Sequence, residues 1–294
     1  MSQQELKTII AMLQDFVWGE TLAEMRENFE AGFTLPRHPI AQVTCVNANG
    51  VPAELIFHPP DNSDHLILYL HGGGFVMGSC QTHRRIAADL AETSGARVLC
   101  LDYRLAPEYP FPAGLEDSLT AYHWLLKEFQ PQQIALVGDS AGGNLALTTL
   151  LSLRDAGKAL PASTVLISPY CDQTRTSQTI VSHAERDPMV SSDMLNTITA
   201  CYASNRDLRN PLISPLYADL SGLPPLLVHV GAAEVLLDDA LKIVRQIGLS
   251  NGSVELKVWR DMIHCFHLFA PMLSEGHAAI AEVATFLNHH WPAS

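Results

Sequence analysis

From residue 41 onward, short apolar runs alternate with longer stretches of helical period. Runs at 41–46, 53–58, 65–70, 97–101, 133–137, 164–168, 225–230 and 254–259 predict eight strands. Several are nearly continuous, as in Leu66-Ile67-Leu68-Tyr69-Leu70, the pattern of a strand covered on both faces. Helical patterning at 84–92, 114–128, 142–155, 236–247 and 275–287 falls between or after these strands. The alternation predicts an α/β fold, with βαβ units building a mostly parallel sheet flanked by helices. Upstream, Ile9, Ile10, Leu13, Phe16 and Val17 form one apolar stripe, so residues 3–30 are expected to be helical, with Pro36 and Pro39 ending the pattern. The interval 172–215 breaks the alternation: it holds one expected helix at 192–203 between turn-rich flanks. The division expected is therefore 1–38 as N-terminal cap helices, 39–171 and 216–294 as two parts of one core, and 172–215 as a cap insertion.

Composition narrows the functional classes. A chain of 294 residues suits one large domain with a small appendage. The net charge of -13 argues against a nucleic-acid partner and favours neutral small-molecule substrates. No apolar run is long enough for a membrane span, and the segment from Met1 to Lys7 lacks signal-peptide character. The six cysteines show neither metal spacing nor a disulfide framework. Cys45 and Cys100 read as small core residues, and a reduced, cytoplasmic chain is expected.

Gly138-Asp139-Ser140-Ala141-Gly142 matches G-x-S-x-G between an expected strand and an expected helix. That setting is the nucleophile elbow. The sharp turn brings the flanking positions so close that both must lack side chains, and it lifts the serine hydroxyl to a helix N-terminus. The motif alone is weak, since about 0.1 occurrences are expected by chance in a chain this long. His71-Gly72-Gly73-Gly74 follows the third strand. Bare main-chain N–H groups of Gly73 and Gly74, with that of Ala141, are expected to bind an oxyanion. Neither a Walker Gly-Lys-Ser/Thr nor a dinucleotide G-x-G-x-x-G is present. His71 is expected to brace the glycine loop by hydrogen bonding.

The chain order Ser, acid, His leaves seven downstream histidines. His264 sits in a short loop after the last strand and is the expected base; His267, its nearest rival, reads as a helix-surface residue. A zinc site at His264–His267 lacks further ligands. After the seventh strand come Glu234, Asp238 and Asp239. Loop placement favours Glu234 as the acid, with Asp238 as the alternative; Asp238 and Asp239 also suit the first turn of a helix.

Together with Asp102-Tyr103-Arg104-Leu105-Ala106-Pro107-Glu108, Phe111-Pro112-Ala113, Ser214-Pro215-Leu216 and Gly222-Leu223-Pro224-Pro225, these motifs resemble the hormone-sensitive-lipase-like esterases, the bacterial acetyl-esterase and carboxylesterase branch. The resemblance runs from about residue 40 to the end. It implies an α/β-hydrolase fold with an eight-stranded sheet, a helical cap, and hydrolysis of short to medium acyl esters. Many relatives carry Asp as the acid where this chain has Glu234, and relatives often pair through the sheet edge, which makes a homodimer a candidate assembly.

The expected chemistry is two-step acyl transfer with no cofactor and no metal, on a small-molecule ester. Lactones and amides are alternative substrates for the same triad. A silent ligand-binding receptor of this fold, like the plant gibberellin receptors, is a further alternative, although those lack the catalytic histidine. Phe16, Trp18, Phe33 and Met189 are candidates for an acyl pocket or for core packing.

Overall fold

The computed structural model describes residues 2–61 and 63–292. Met1, at the head of the segment tested for signal-peptide character, lies outside them. The sheet has eight strands: β1 (Gln42–Ala48), β2 (Val51–Phe57), β3 (Leu66–Leu70), β4 (Arg97–Leu101), β5 (Ile134–Asp139), β6 (Ser163–Ile167), β7 (Leu226–Gly231) and β8 (Val254–Trp259). Their spatial order is β1-β2-β4-β3-β5-β6-β7-β8. β1 pairs antiparallel with β2, and β2 antiparallel with β4; every later pairing is parallel. β3, β5, β6 and β7 are buried along their whole length, as their apolar sequences require. β8, at the edge, is half-exposed.

The chain steps from β3 outward to β4, then crosses back to place β5 on the other side of β3. The loops after β3 and β5 therefore diverge at a point where the winding reverses, which is where parallel sheets open a crevice at their carboxyl ends. The glycine loop follows β3 and the Ser140 turn follows β5, so topology alone puts them side by side.

Nine helices flank or cap the sheet among the described residues: α1 (Ser2–Gln14), α2 (Leu22–Phe33), α3 (Cys80–Ser94), α4 (Ala113–Leu125), α5 (Ala141–Asp155), α6 (Thr179–Ser182), α7 (Ser192–Ala203), α8 (Leu237–Leu249) and α9 (Ser274–His290). α3 packs on α9 and α4 packs on α5, while α8 lies against β7 and β8.

The helical segment expected over 3–30 forms two helices, α1 and α2. Gly19 takes φ 95°, and Thr21 then starts α2 with a capping box: its hydroxyl accepts from Glu24 N–H at 3.2 Å and its own N–H donates to Glu24 at 2.9 Å. α3 likewise begins at Cys80, earlier than residue 84, because Ser79 caps it by accepting from the N–H groups of Gln81 and Thr82. The short α6 lies in the connection between β6 and β7 without a periodic signal. Cys45, expected in the core, is exposed on β1, whereas Cys100 is fully buried. Among the described residues no helix is long and apolar enough to cross a membrane.

Candidate active site

Between Ile134 and Leu151 every residue is buried except Ser140. The turn holds it at φ 51°, ψ -115°, a backbone geometry unfavourable for a side-chain-bearing residue. Three hydrogen bonds enforce that geometry: Ser140 N–H donates to Ile167 O at 2.8 Å, and Ser140 O accepts from the N–H groups of Tyr170 at 3.1 Å and Asn144 at 3.2 Å. A Cβ at Gly138 would collide with Gly142 O, and one at Gly142 with Leu70 O, so both flanking glycines are required by space. The hydroxyl thus stands at the N-terminus of α5, where the helix dipole favours negative charge.

The glycine loop is built around Asp139. This buried carboxylate accepts from Tyr69 OH at 2.7 Å and from Gly72 N–H at 3.0 Å, and His83 Nε2 lies 3.4 Å away. Burial alone would raise its pKa, but the His83 and His71 imidazoles and the Tyr69 bond outweigh that and bring it down to about 2. His71 does brace the loop. Its Nδ1 bonds Gly72 O at 2.7 Å, its ring stacks on Tyr103 at 4.2 Å, and Tyr103 OH donates to His71 O at 2.7 Å. Burial and the neighbouring His83 bring the His71 pKa down to about 4, so it works as a neutral hydrogen-bonding group. Gly73 and Gly74 take φ 105° and 64°. Their N–H groups and that of Ala141 have no acceptor among the described residues. Both glycines border the same cavity as Ser140.

His264 Nδ1 lies 3.0 Å from Glu234 Oε2, although the two residues are 30 apart in sequence. β7 and β8 are neighbours, so the loops that leave their ends meet. The other carboxylate oxygen, Oε1, accepts from Ser168 Oγ at 2.6 Å and Gly231 N–H at 2.5 Å. Ser168 Oγ in turn accepts from Cys265 N–H at 3.2 Å. Burial raises the Glu234 pKa, partly offset by its bonds to His264 and Ser168. Burial alone would lower the His264 pKa, but the Glu234 bond and charge outweigh it and raise it. His264 lines the cavity, and its Nε2 lies 3.4 Å from Cys265 Sγ. Ser168 and Cys265 take φ 47° and 48°, so with Ser140 three side-chain-bearing residues at this site hold left-handed conformations. Each costs about 1–3 kcal/mol and persists only where its surroundings enforce it.

Asp238 is not brought to His264. It accepts from Gln178 N–H at 3.0 Å and pairs with Lys242 Nζ at 2.9 Å, joining α8 to the connection between β6 and β7. Asp239 is fully buried, where it accepts from the N–H groups of Cys171 and Asp172, each at 2.9 Å. His267 is fully buried, not on a helix surface: its Nε2 lies 3.1 Å from His229 Nδ1. Sequence reasoning missed Ser168, whose only signal was a polar residue closing the apolar run Val165-Leu166-Ile167. It also missed Asp187, which accepts from Val235 N–H at 2.9 Å beside the Glu234 loop.

Ser140 and His264 line one cavity. Trp18 and Phe29 from the N-terminal region, with Met189, Met194, Leu195 and Ile198 from the connection between β6 and β7, make it apolar. Trp18 and Met189 were among the expected lining residues. Phe16 and Phe33 instead pack behind that wall, 5.6 Å apart between ring centroids, with Phe33 stacked at 4.4 Å on Phe29.

A strand-turn-helix serine, a carboxylate-held histidine and a glycine loop at the carboxyl ends of one parallel sheet define a serine hydrolase of the α/β-hydrolase class. Residues 67–268 match the family model described as the alpha/beta hydrolase fold. An acetyl-hydrolase of Streptomyces hygroscopicus is 42% identical over 232 residues, covering 78% of this chain and 77% of that protein. A solved esterase from the bacterial hormone-sensitive lipase family superposes with TM-score 0.96 at 43% identity, over 98% of this chain and 99% of that one. The esterase EstE5, in a crystal soaked with p-nitrophenyl butyrate, gives TM-score 0.94 at 42% identity, over 98% and 99%. The chain belongs to the α/β-hydrolase fold family, within its bacterial hormone-sensitive-lipase-like esterases, and it is an ester hydrolase.

Proposed function

We propose that Ser140 is the nucleophile, His264 the general base, Glu234 the acid that orients and stabilises its imidazolium, and the Gly73, Gly74 and Ala141 N–H groups the oxyanion hole. The observation that carries this reading is the single apolar cavity shared by the unburied Ser140 hydroxyl and a histidine whose far nitrogen is held by a buried carboxylate. Ser140 Oγ attacks the ester carbonyl as His264 Nε2 takes its proton. The carbonyl oxygen becomes an oxyanion beside the three N–H groups. Collapse expels the alcohol, protonated by His264, and leaves an acyl-serine. Water, deprotonated by the same imidazole, then releases the acid and restores the hydroxyl.

Esters with short to medium acyl chains suit the apolar lining beside Ser140, and the chain's net charge of -13 suits neutral ones. Residues 1–38 and 172–215 act as the cap that walls this cavity and limits water. The unpaired cysteines fit a cytoplasmic location. A rapid-mixing assay with p-nitrophenyl butyrate tests the reading. It predicts a burst of p-nitrophenol approaching one equivalent per active site when deacylation is slowed by low temperature. Release that stays linear with no covalent acyl adduct on the protein would contradict an acyl-enzyme.

A further inference from the structure

Arg26, on α2 in the N-terminal region, reaches out of its own segment to the loop that carries Gly73 and Gly74. Its Nε donates to Val76 O at 2.6 Å and its Nη2 to Ala106 O at 2.7 Å. The same guanidinium grips Glu108 with two bonds, at 2.8 and 2.7 Å. Both carbonyls belong to the frame of the glycine loop. Val76 and Met77 donate their N–H groups to Gly73 O at 3.2 and 3.0 Å, closing the turn, and Ala106 N–H donates to Phe75 O at 2.9 Å. Glu30, one turn further along α2, accepts from Ser79 Oγ at 2.8 Å. Phe29, on the same helix face, lines the cavity.

We propose that Arg26 is a positioning residue for ester hydrolysis: the Arg26–Glu108 pair clamps the Gly73–Val76 turn, so that the N-terminal helix sets the aim of the glycine N–H groups as well as walling the substrate cavity. The inference rests on the reading of Gly73 and Gly74 as oxyanion donors. It also accounts for the segment Asp102–Glu108, whose role the catalytic residues leave open. Asp102 accepts from Cys80 N–H at 2.6 Å, Tyr103 holds His71 O, Ala106 holds Phe75 O, and Glu108 holds Arg26, so the segment backs the glycine loop along its length.

A half-exposed ion pair contributes little stability by itself. The geometric effect is larger, because a donor displaced by about 1 Å forfeits up to about 100-fold in rate. The Arg26 guanidinium also draws the Glu108 carboxyl down to about 2, so the pair stays ionised throughout the working pH range. A lysine, with one compact charge, reproduces part of the contact but not the fork.

The test compares full-length wild type with Arg26→Met, Arg26→Lys and Glu108→Gln. The readouts are kcat and KM for p-nitrophenyl butyrate, the inhibition constant of a trifluoromethyl ketone, and thermal melting. The ketone bonds to the serine hydroxyl and places an oxyanion where the tetrahedral intermediate has one. The proposal expects Arg26→Met to lower kcat about 10- to 100-fold with KM changed less than about threefold, and to weaken the ketone by a similar factor. Arg26→Lys should recover part of both, and Glu108→Gln should lose less than Arg26→Met. A folded Arg26→Met with kcat within twofold of wild type overturns the clamp, as does a fall in kcat with unchanged ketone affinity. If Arg26→Met does not fold, Arg26→Lys and Glu108→Gln decide, and wild-type kcat and ketone affinity in both overturn it. Wild-type enzyme that turns over ester but does not bind the ketone contradicts the serine-oxyanion reading itself, and the clamp falls with it.

Discussion

The Ser168 hydroxyl donates to Glu234 Oε1 at 2.6 Å while accepting from Cys265 N–H at 3.2 Å, so one side chain after β6 fixes both the carboxylate and the backbone that carries His264. Replacing it by alanine leaves Glu234 Oε1 with the Gly231 N–H alone and frees the Cys265 amide. Ser168→Ala is expected to lower kcat about 5- to 50-fold, with KM for a small acyl ester within about threefold of wild type, because the substrate cavity is untouched. Steady-state kinetics check this. Unchanged kcat would show that Gly231 and His264 suffice to hold the carboxylate.

Glu234 and Asp238 stand four residues apart and have different surroundings. One is fully buried against His264, and the other is paired with Lys242 and the Gln178 amide. Glu234→Gln presents an amide to Nδ1 and removes the charge that stabilises imidazolium. A fall in kcat of about 10²- to 10⁴-fold is expected, against less than about threefold for Asp238→Asn. The reverse ranking in purified, folded variants would move the acid to Asp238.

The same contact sets a pH dependence. In the proposed mechanism His264 takes the serine proton only when neutral. Its pKa lies above the ordinary 6.5 because the Glu234 bond and charge outweigh burial. In the wild type kcat/KM should therefore fall as pH drops through a midpoint above 6.5. In Glu234→Gln the raising influence is gone and burial remains, so the residual activity should show its midpoint shifted downward. A pH profile of both proteins with one neutral ester measures the shift. Identical midpoints would show that the acid limb belongs to another group.

The strands and the mostly parallel character of the sheet were legible because β3, β5, β6 and β7 are buried on both faces and so read as nearly continuous apolar runs. The Ser140 turn and the glycine loop were legible because steric demands at Gly138, Gly142, Gly73 and Gly74 restrict the residue type itself. Less specific chemistry was not readable. Ser168 looks like any strand-ending serine until β6 and β7 are aligned, and Asp187 and Arg26 act across 48 and 50 residues of sequence. His267 was misplaced because a histidine beside Phe266 in a short turn carries no sign of its partner, His229, in a distant strand. The boundary between α1 and α2 is set by Gly19 and the Thr21 capping box, local signals that the apolar stripe ending at Val17 does not carry. Cys45 lies on the outermost strand β1, where an apolar-looking run faces solvent.

The central claim is that the Ser140 hydroxyl carries the acyl group. Turnover of p-nitrophenyl butyrate by Ser140→Ala, with wild-type folding verified by circular dichroism, tests it most directly. Loss of the nucleophile should lower kcat by about 10⁴-fold or more and abolish the acyl adduct seen by intact-protein mass spectrometry. Near wild-type turnover, or an adduct that forms without the hydroxyl, would contradict the account.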